Sequence, residues 1–213
     1  MEIFSCREDP LRGGGAVAEE RAAARAGRCG KAKGARIQMI PASVTDEEER
    51  RALSREVGHA MERTRRAGRE VDRGLVRAKE AIDDEENHLL VIRSRWGEFL
   101  GSLSYTFPGA GTLRVDYIGL SIHRCGLGTR LMAAVAALAL GGDRAIRLTA
   151  EKDAKGFFAG LGMDRLEEYP DGNCVFGFSP EGMRNFLARS RTTGAVKAGK
   201  GAKKEGNFSW RVR

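Results

Sequence analysis

The sequence predicts a mixed α/β domain, with an α+β mixed sheet, over residues 36–190. A disordered segment (1–35) precedes it and a disordered basic tail (191–213) follows. Three observations predict this. Short apolar or alternating runs follow one another as adjacent strands joined by turns. Stretches with apolar residues at helical spacing lie before and after those runs. Charge excess is confined to the ends: residues 1–35 carry seven Lys/Arg and five Asp/Glu, and residues 191–213 seven and one, while 36–190 carries 23 of each. At 213 residues, 41% hydrophobic and 31% charged, the chain is sized for one ordinary domain plus tails, or two very small ones, with enough apolar material for a core.

In chain order, ARIQMIPA alternates through Ile37, Met39 and Ala42 and reads as a strand. Thr45 followed by Glu48 is a capping-box pattern. The helix behind it places Leu53, Val57, Ala60 and Met61 on one face. A second helical period over 64–83 places Val71, Leu75, Ala78 and Ile82 together, with Gly68 and Gly74 weakening it. NHLLVIRSR, EFLGSLSYTF and TLRVDYIGLS then form an antiparallel meander, turning at Trp96-Gly97 and at Phe107–Gly111. CGLGTRLMAAVAALAL is apolar nearly all round, so it is a buried helix, ended by Gly141-Gly142. AIRLTA is a short buried strand, and EKDAKGFFAGLG a short helix stopped by Gly162. MDRLEEYP and NCVFGFSP are two more strands, and PEGMRNFLARS is a terminal helix.

Composition narrows the functional classes. No apolar run is long enough to span a bilayer, and the first residues lack a Sec-type pattern, so no membrane partner is expected. The four cysteines and three histidines show no ligand spacing, so no metal is expected, and a reduced, cytoplasmic chain is the simplest reading. The neutral centre does not resemble a basic nucleic-acid face. The cationic tail suits only weak, non-specific contact with nucleic acid.

The segment that carries chemistry is Leu120-Ser121-Ile122-His123-Arg124-Cys125-Gly126-Leu127-Gly128-Thr129, joining a strand directly to the buried helix. A helix start offers free N–H groups and a partial positive charge. Glycine lets an anion approach the backbone. Thr129 adds a hydroxyl, and His123, Arg124 and Arg130 are nearby donors. These residues read as a phosphate or pyrophosphate cradle; a glycine turn needed only for packing fits them too. The P-loop pattern is absent, because no Lys-Ser/Thr follows the glycines. The dinucleotide fingerprint is absent as well, because Leu131 stands where its third glycine would be.

Element order and loop together resemble the GCN5-related N-acetyltransferase (GNAT) family. Its signature, Arg/Gln-x-x-Gly-x-Gly/Ala, is matched at Gly126 and Gly128, with His123 in the leading position. A second landmark, Phe-Tyr-x-x-Leu-Gly-Phe after the next strand, corresponds to Phe157-Phe158-Ala159-Gly160-Leu161-Gly162-Met163. The resemblance covers roughly residues 36–180 and implies a GNAT-like acyl-CoA N-acyltransferase fold, in which the strand ending near Leu120 splays from AIRLTA and acetyl-CoA, as cosubstrate, lies in the gap. Its pantetheine would pair near Leu120 and Ile122. Its pyrophosphate would sit on the amides of Cys125, Gly126, Leu127, Gly128 and Thr129, beside His123 and Arg124. A primary amine, on a small molecule or a protein, would attack the thioester directly. The family's acid tyrosine is Phe158 here, leaving Tyr169, Tyr105 and Cys174 as substitutes. A thiol leaves without much help. The base position falls on Asp116 if Leu120 meets pantetheine, with Glu151 as second choice. If Ile118 meets it instead, the base position falls on Arg114, which cannot serve. Determinants for the acceptor are expected on the two early helices and at Phe107–Gly111 and Tyr169–Asn173. The substitutions at His123 and Phe158 also suit a catalytically degenerate binding module. The tails suit a nucleic-acid contact or delivery as an injected effector.

Overall fold

A computed structural model describes residues 34–40, 42, 47–68, 70–71, 73–84, 86–192 and 209–211. Nearly all of the expected N-terminal segment, the capping Thr45, and most of the C-terminal tail lie outside the described residues. In chain order the elements are β1 (Arg36–Ile40), α1 (Glu47–Arg66), α2 (Arg73–Ile82), β2 (His88–Arg93), β3 (Phe99–Gly109), β4 (Thr112–Leu120), α3 (Leu127–Gly141), β5 (Ala145–Ala150), a 3-10 turn (Lys152–Ala154), α4 (Lys155–Leu161), β6 (Asp164–Glu168), β7 (Cys174–Phe178), α5 (Pro180–Thr192) and β8 (Ser209–Arg211). The strands form one sheet in the order β6-β7-β5-β4-β3-β2-β1-β8. Its only parallel pair among the described strands is β4/β5, because α3 crosses over between them. β8 pairs with the edge of β1.

Two cores lie on the two sheet faces. One gathers Leu131, Met132 and Val135 of α3, Phe178 of β7, Met183 and Phe186 of α5, and the inward residues of β3, β4 and β5. The other gathers Leu53 and Val57 of α1 and Leu75, Ala78 and Ile82 of α2 against Leu89, Val91 and Phe99. β3 lies between them and is buried from Phe99 through Tyr105, as a strand covered on both faces must be. In α3 ten residues are buried, which matches its all-round apolar sequence. Each fully buried Leu, Met or Val there contributes about 1.5–3 kcal/mol.

The early helices divide differently from the sequence expectation. The first runs to Arg66, and the second begins only at Arg73. Gly68 adopts a left-handed φ of 66°, which ends α1 and places Val71 in the connection rather than on a helix. Phe107 likewise lies within β3, which continues to Gly109. The turn is confined to Ala110 and Gly111. The Trp96-Gly97 hairpin forms as expected, with Gly97 at φ 86° and the Ser94 hydroxyl accepting the N–H groups of Trp96 and Glu98.

Candidate active site

The site grows from an interruption in the sheet. β4 and β5 pair from Thr112↔Ala145 to Val115↔Leu148 and no further. Beyond that point each strand keeps only its outer neighbour: β4 stays on β3 through Gly101↔Leu120, and β5 stays on β7 through Ala150↔Cys174. The gap is a forked cleft whose β4 edge presents peptide groups unpaired on that side.

A bulge sits at the base of the fork. Ser104 faces Tyr117 and Tyr105 faces Val115, so Asp116 is the extra residue on β4. One extra residue inverts the side-chain alternation. Leu113 and Val115 point to the α3 core before the bulge, and Ile118 and Leu120 pack there after it. Tyr117 turns to the α1–α2 core. The Asp116 carboxylate accepts Arg114 Nε at 2.6 Å and Thr106 Oγ1 at 3.2 Å. Its side chain is 23% exposed although the residue as a whole is exposed, so much of the exposure lies on the main chain at the fork. Burial, reinforced by the Asp116 charge, pushes the Tyr117 phenol above the ordinary tyrosine range. It stays protonated and donates to the Ala78 carbonyl at 3.3 Å.

The cleft has a volume of about 660 Å³, within the range of ligand sites. Val115, Asp116, Tyr117, Ile118 and His123 line it from β4 and the following loop. Leu148 to Glu151, Asp153, Ala154 and Phe158 line it from β5 onward, and Arg73, Gly74 and Arg77 of α2 close it from the other face. A second pocket of about 450 Å³ shares Val115, Asp116, Leu148 and Thr149, and adds Arg114, Arg147, Glu167, Tyr169 and Val175.

In the loop after His123, Gly126 caps α3 in the left-handed conformation, at φ 73°, and no side chain caps the helix. The first intrahelical bond of α3 runs from Arg130 N to Gly126 O. The amides of Leu127, Gly128 and Thr129 therefore have no acceptor within the helix. A Cβ on Gly126 would meet nothing within 4 Å, so the approach is open there. A Cβ on Gly128 would stand 3.1 Å from Phe157 Cζ, so that ring covers the second glycine. Arg124 also adopts a positive φ, 61°, where a non-glycine residue is strained. Backbone unpaired on the β4 edge can pair with an extended chain that carries amide groups, and an open left-handed glycine with uncapped amides can bind an anion.

Of the residues expected from sequence, Asp116, Glu151, His123 and Phe158 share the cleft. Cys125 and Gly126 lie in the loop between His123 and α3, and Leu127, Gly128 and Thr129 open α3; none of these five lines the cleft. Leu120 and Ile122 pack partly against the core, and Ile118 occupies the cleft wall instead. Arg130 does not face the cradle: it is 8% exposed and donates to the Ala35 carbonyl at 2.7 Å. Of the substitutes for the acid, Tyr105 is packed between His88 and Phe107, with its phenol pushed up to about 12 by burial. The Cys174 thiol donates to the Glu167 carbonyl at 3.0 Å. Tyr169 alone of the three lines a pocket. Phe107 lies outside both pockets and stacks under the Arg144 guanidinium. Arg73, Arg77 and Asp153 were not singled out by sequence; they read as ordinary charges on exposed helical faces. Among the described residues no group of His, Cys, Asp and Glu is placed to hold a metal ion, and no helix is long and apolar enough to cross a membrane.

The forked parallel pair, the crossover helix starting at the glycine loop and the antiparallel flanks make this a GNAT-like fold, the one the motif resemblance implies. No family model matches the chain, and no curated protein matches it. Solved structures do resemble it. GCN5 from Tetrahymena aligns at 15% identity over 68% of this chain and 96% of its own, with a TM-score of 0.48. A GNAT-family acetyltransferase from Desulfovibrio desulfuricans aligns at 17% identity over 66% and 96%, at 0.47. The CoA-dependent acyl-homoserine lactone synthase BjaI, solved with SAM and isopentyl-CoA, aligns at 15% identity over 73% and 89%, at 0.49.

Proposed function

We propose that the chain is an N-acetyltransferase that moves an acetyl group from acetyl-CoA to a primary amine by direct attack. The observation that carries this reading is the end of β4/β5 pairing at Val115↔Leu148, which opens a cleft lined by His123, three residues before the glycine that starts α3 without a side-chain cap. Acetyl-CoA would lay its pantetheine along the unpaired β4 edge past Ile118 and Leu120, and its diphosphate on the amides from Cys125 to Thr129. The amine nitrogen attacks the thioester carbonyl, forming the C–N bond. The C–S bond breaks and coenzyme A leaves as thiolate. Asp116 takes the amine proton, as the carboxylate at the base of the fork, and Glu151 is the alternative acceptor of that proton. The thiolate needs little protonation to depart, which accommodates the phenyl ring of Phe158 in the acid's place.

Phe158 also favours a second reading, a fold that binds acyl-CoA without turning it over, since its buried ring (7% exposed) offers the cleft no proton.

The test uses Gly126, where the backbone is left-handed and the surrounding space open. Asn and Asp both tolerate that conformation and differ in charge. Gly126→Asp is expected to weaken acetyl-CoA binding, measured by calorimetry, at least about tenfold relative to Gly126→Asn. Equal affinities would remove the diphosphate from this loop. Thiol release with an amine panel separates the two readings, because the binding module gives affinity without release.

A further inference from the structure

The cleft walls carry opposite charge on opposite sides of the fork. Arg73 and Arg77 stand one helical turn apart, so they project from one face of α2. Both line the cleft. α2 lies tight against β4, with the Gly74 carbonyl at the surface of Gly119. Glu151 and Asp153 line the same cleft from the other branch, where the chain leaves β5. Neither arginine, nor either of these carboxylates, forms a side-chain hydrogen bond or ion pair with another described residue; the Asp116 carboxylate, which lines the same cleft from β4, is held by Arg114 and Thr106. Arg73 and Arg77 are also poorly placed for the diphosphate of coenzyme A. α3, whose amides are assigned to that group, packs on the sheet face opposite α2.

Resting on the acetyl-transfer reading, we propose that the acceptor is zwitterionic: a short amine that carries a carboxylate or comparable anion on the same molecule. Its anion sits between the guanidinium groups of Arg73 and Arg77, and its amine is directed to the acidic branch and Asp116. A dication would place one charge against the two arginines. An uncharged-tail alkylamine would leave both guanidinium groups without a partner. Either loses affinity relative to the zwitterion.

The experiment uses the full chain with acetyl-CoA and matched probes: β-alanine against propylamine, 6-aminohexanoate against hexylamine, and 1,5-diaminopentane. Calorimetry first measures acetyl-CoA affinity; absence of binding defeats the acetyl-transfer reading and this proposal with it. Given binding, at least one aminocarboxylate is expected to exceed its alkylamine partner and the diamine in kcat/KM by at least about tenfold. Arg73→Gln/Arg77→Gln is expected to erase that advantage while acetyl-CoA affinity holds. Where no probe is turned over, thermal shift of the coenzyme A-saturated protein takes its place: stabilisation by an aminocarboxylate and not by its alkylamine supports the proposal. Equal or better performance by the alkylamines or the diamine overturns it. So does a preference that survives the double substitution, a double variant that loses acetyl-CoA instead, or no stabilisation by any aminocarboxylate.

Discussion

Gly119 on β4 stands so close to Gly74 on α2 that a Cβ on Gly119 would lie 2.4 Å from the Gly74 carbonyl oxygen and 2.7 Å from its carbon. The obstacle is backbone, which cannot rotate aside as a side-chain tip can. This contact brings Arg73 and Arg77 over the fork. Gly119→Ala is therefore expected to cost about 1–3 kcal/mol, the range for overpacking, read as a lower urea midpoint with an unchanged slope. A variant as stable as the parent would show that α2 does not seat on β4 in this way.

His88 couples the start of β2 to the segment after β1. Its Nδ1 accepts the Ala42 N–H at 3.1 Å, and its ring stacks on Tyr105. Burial, with the Arg50 charge adding to it, lowers its pKa below the ordinary 6.5. The unfolded chain takes up a proton near that ordinary value while the folded ring resists. Between the lowered pKa and about 6.5 the unfolded state binds more protons, so stability falls as acid is added and recovers above that window. His88→Asn keeps an acceptor and removes the titration. Urea midpoints at several pH values should fall more steeply towards acid for the parent than for this variant. Parallel curves would show that the ring does not bury itself neutral.

The local features of the site were legible in the sequence, and the long-range ones were not. Gly126 and Gly128 stand at the junction of a strand and a helix, and both junction and helix follow from nearest neighbours. The boundary between α1 and α2 was half legible: Gly68 was visible as a weak point, but a helical period running through it concealed that it stops the helix. The bulge at Asp116 depends on which two residues of β3 face which three of β4. No period within β4 encodes that count, so the choice between Leu120 and Ile118 could not be read from the strand alone. Arg73 and Arg77 were illegible for a similar reason. An arginine facing solvent and one facing a cleft have the same helical address until the packing of α2 on Gly119 is known.

Arg130 lies four residues beyond Gly126, yet its side chain runs away from the glycine loop, into the sheet side of α3. Its guanidinium donates to the Ala35 carbonyl at the entrance to β1, and burial lowers its pKa. Arg130→Met removes a charged hydrogen bond and leaves the oxygen of fully buried Ala35 without that donor. The expected loss is about 2 kcal/mol, seen as a lower Tm, with acetyl-CoA affinity within about twofold of the parent once the protein is folded. A large loss of affinity at unchanged Tm would return Arg130 to the cradle.

Asp116 and Glu151 are separable by the same logic of position. Asp116 is the bulged residue at the base of the fork and lines both pockets, so an amine entering from either pocket passes its carboxylate. Glu151 lines the cleft only, at the mouth where β5 ends. Asp116→Asn preserves shape and an acceptor oxygen for Arg114, with its amide NH2 turned to donate to the Thr106 hydroxyl, but removes the site for the amine proton. We expect kcat to fall by about 10²–10³ with acetyl-CoA affinity unchanged, and Asp116→Glu to restore much of it. Glu151→Gln should cost less than about tenfold. The reverse order, with turnover depending on Glu151 and indifferent to Asp116, would assign the proton to the β5 branch and leave the bulge a purely architectural role in opening the fork.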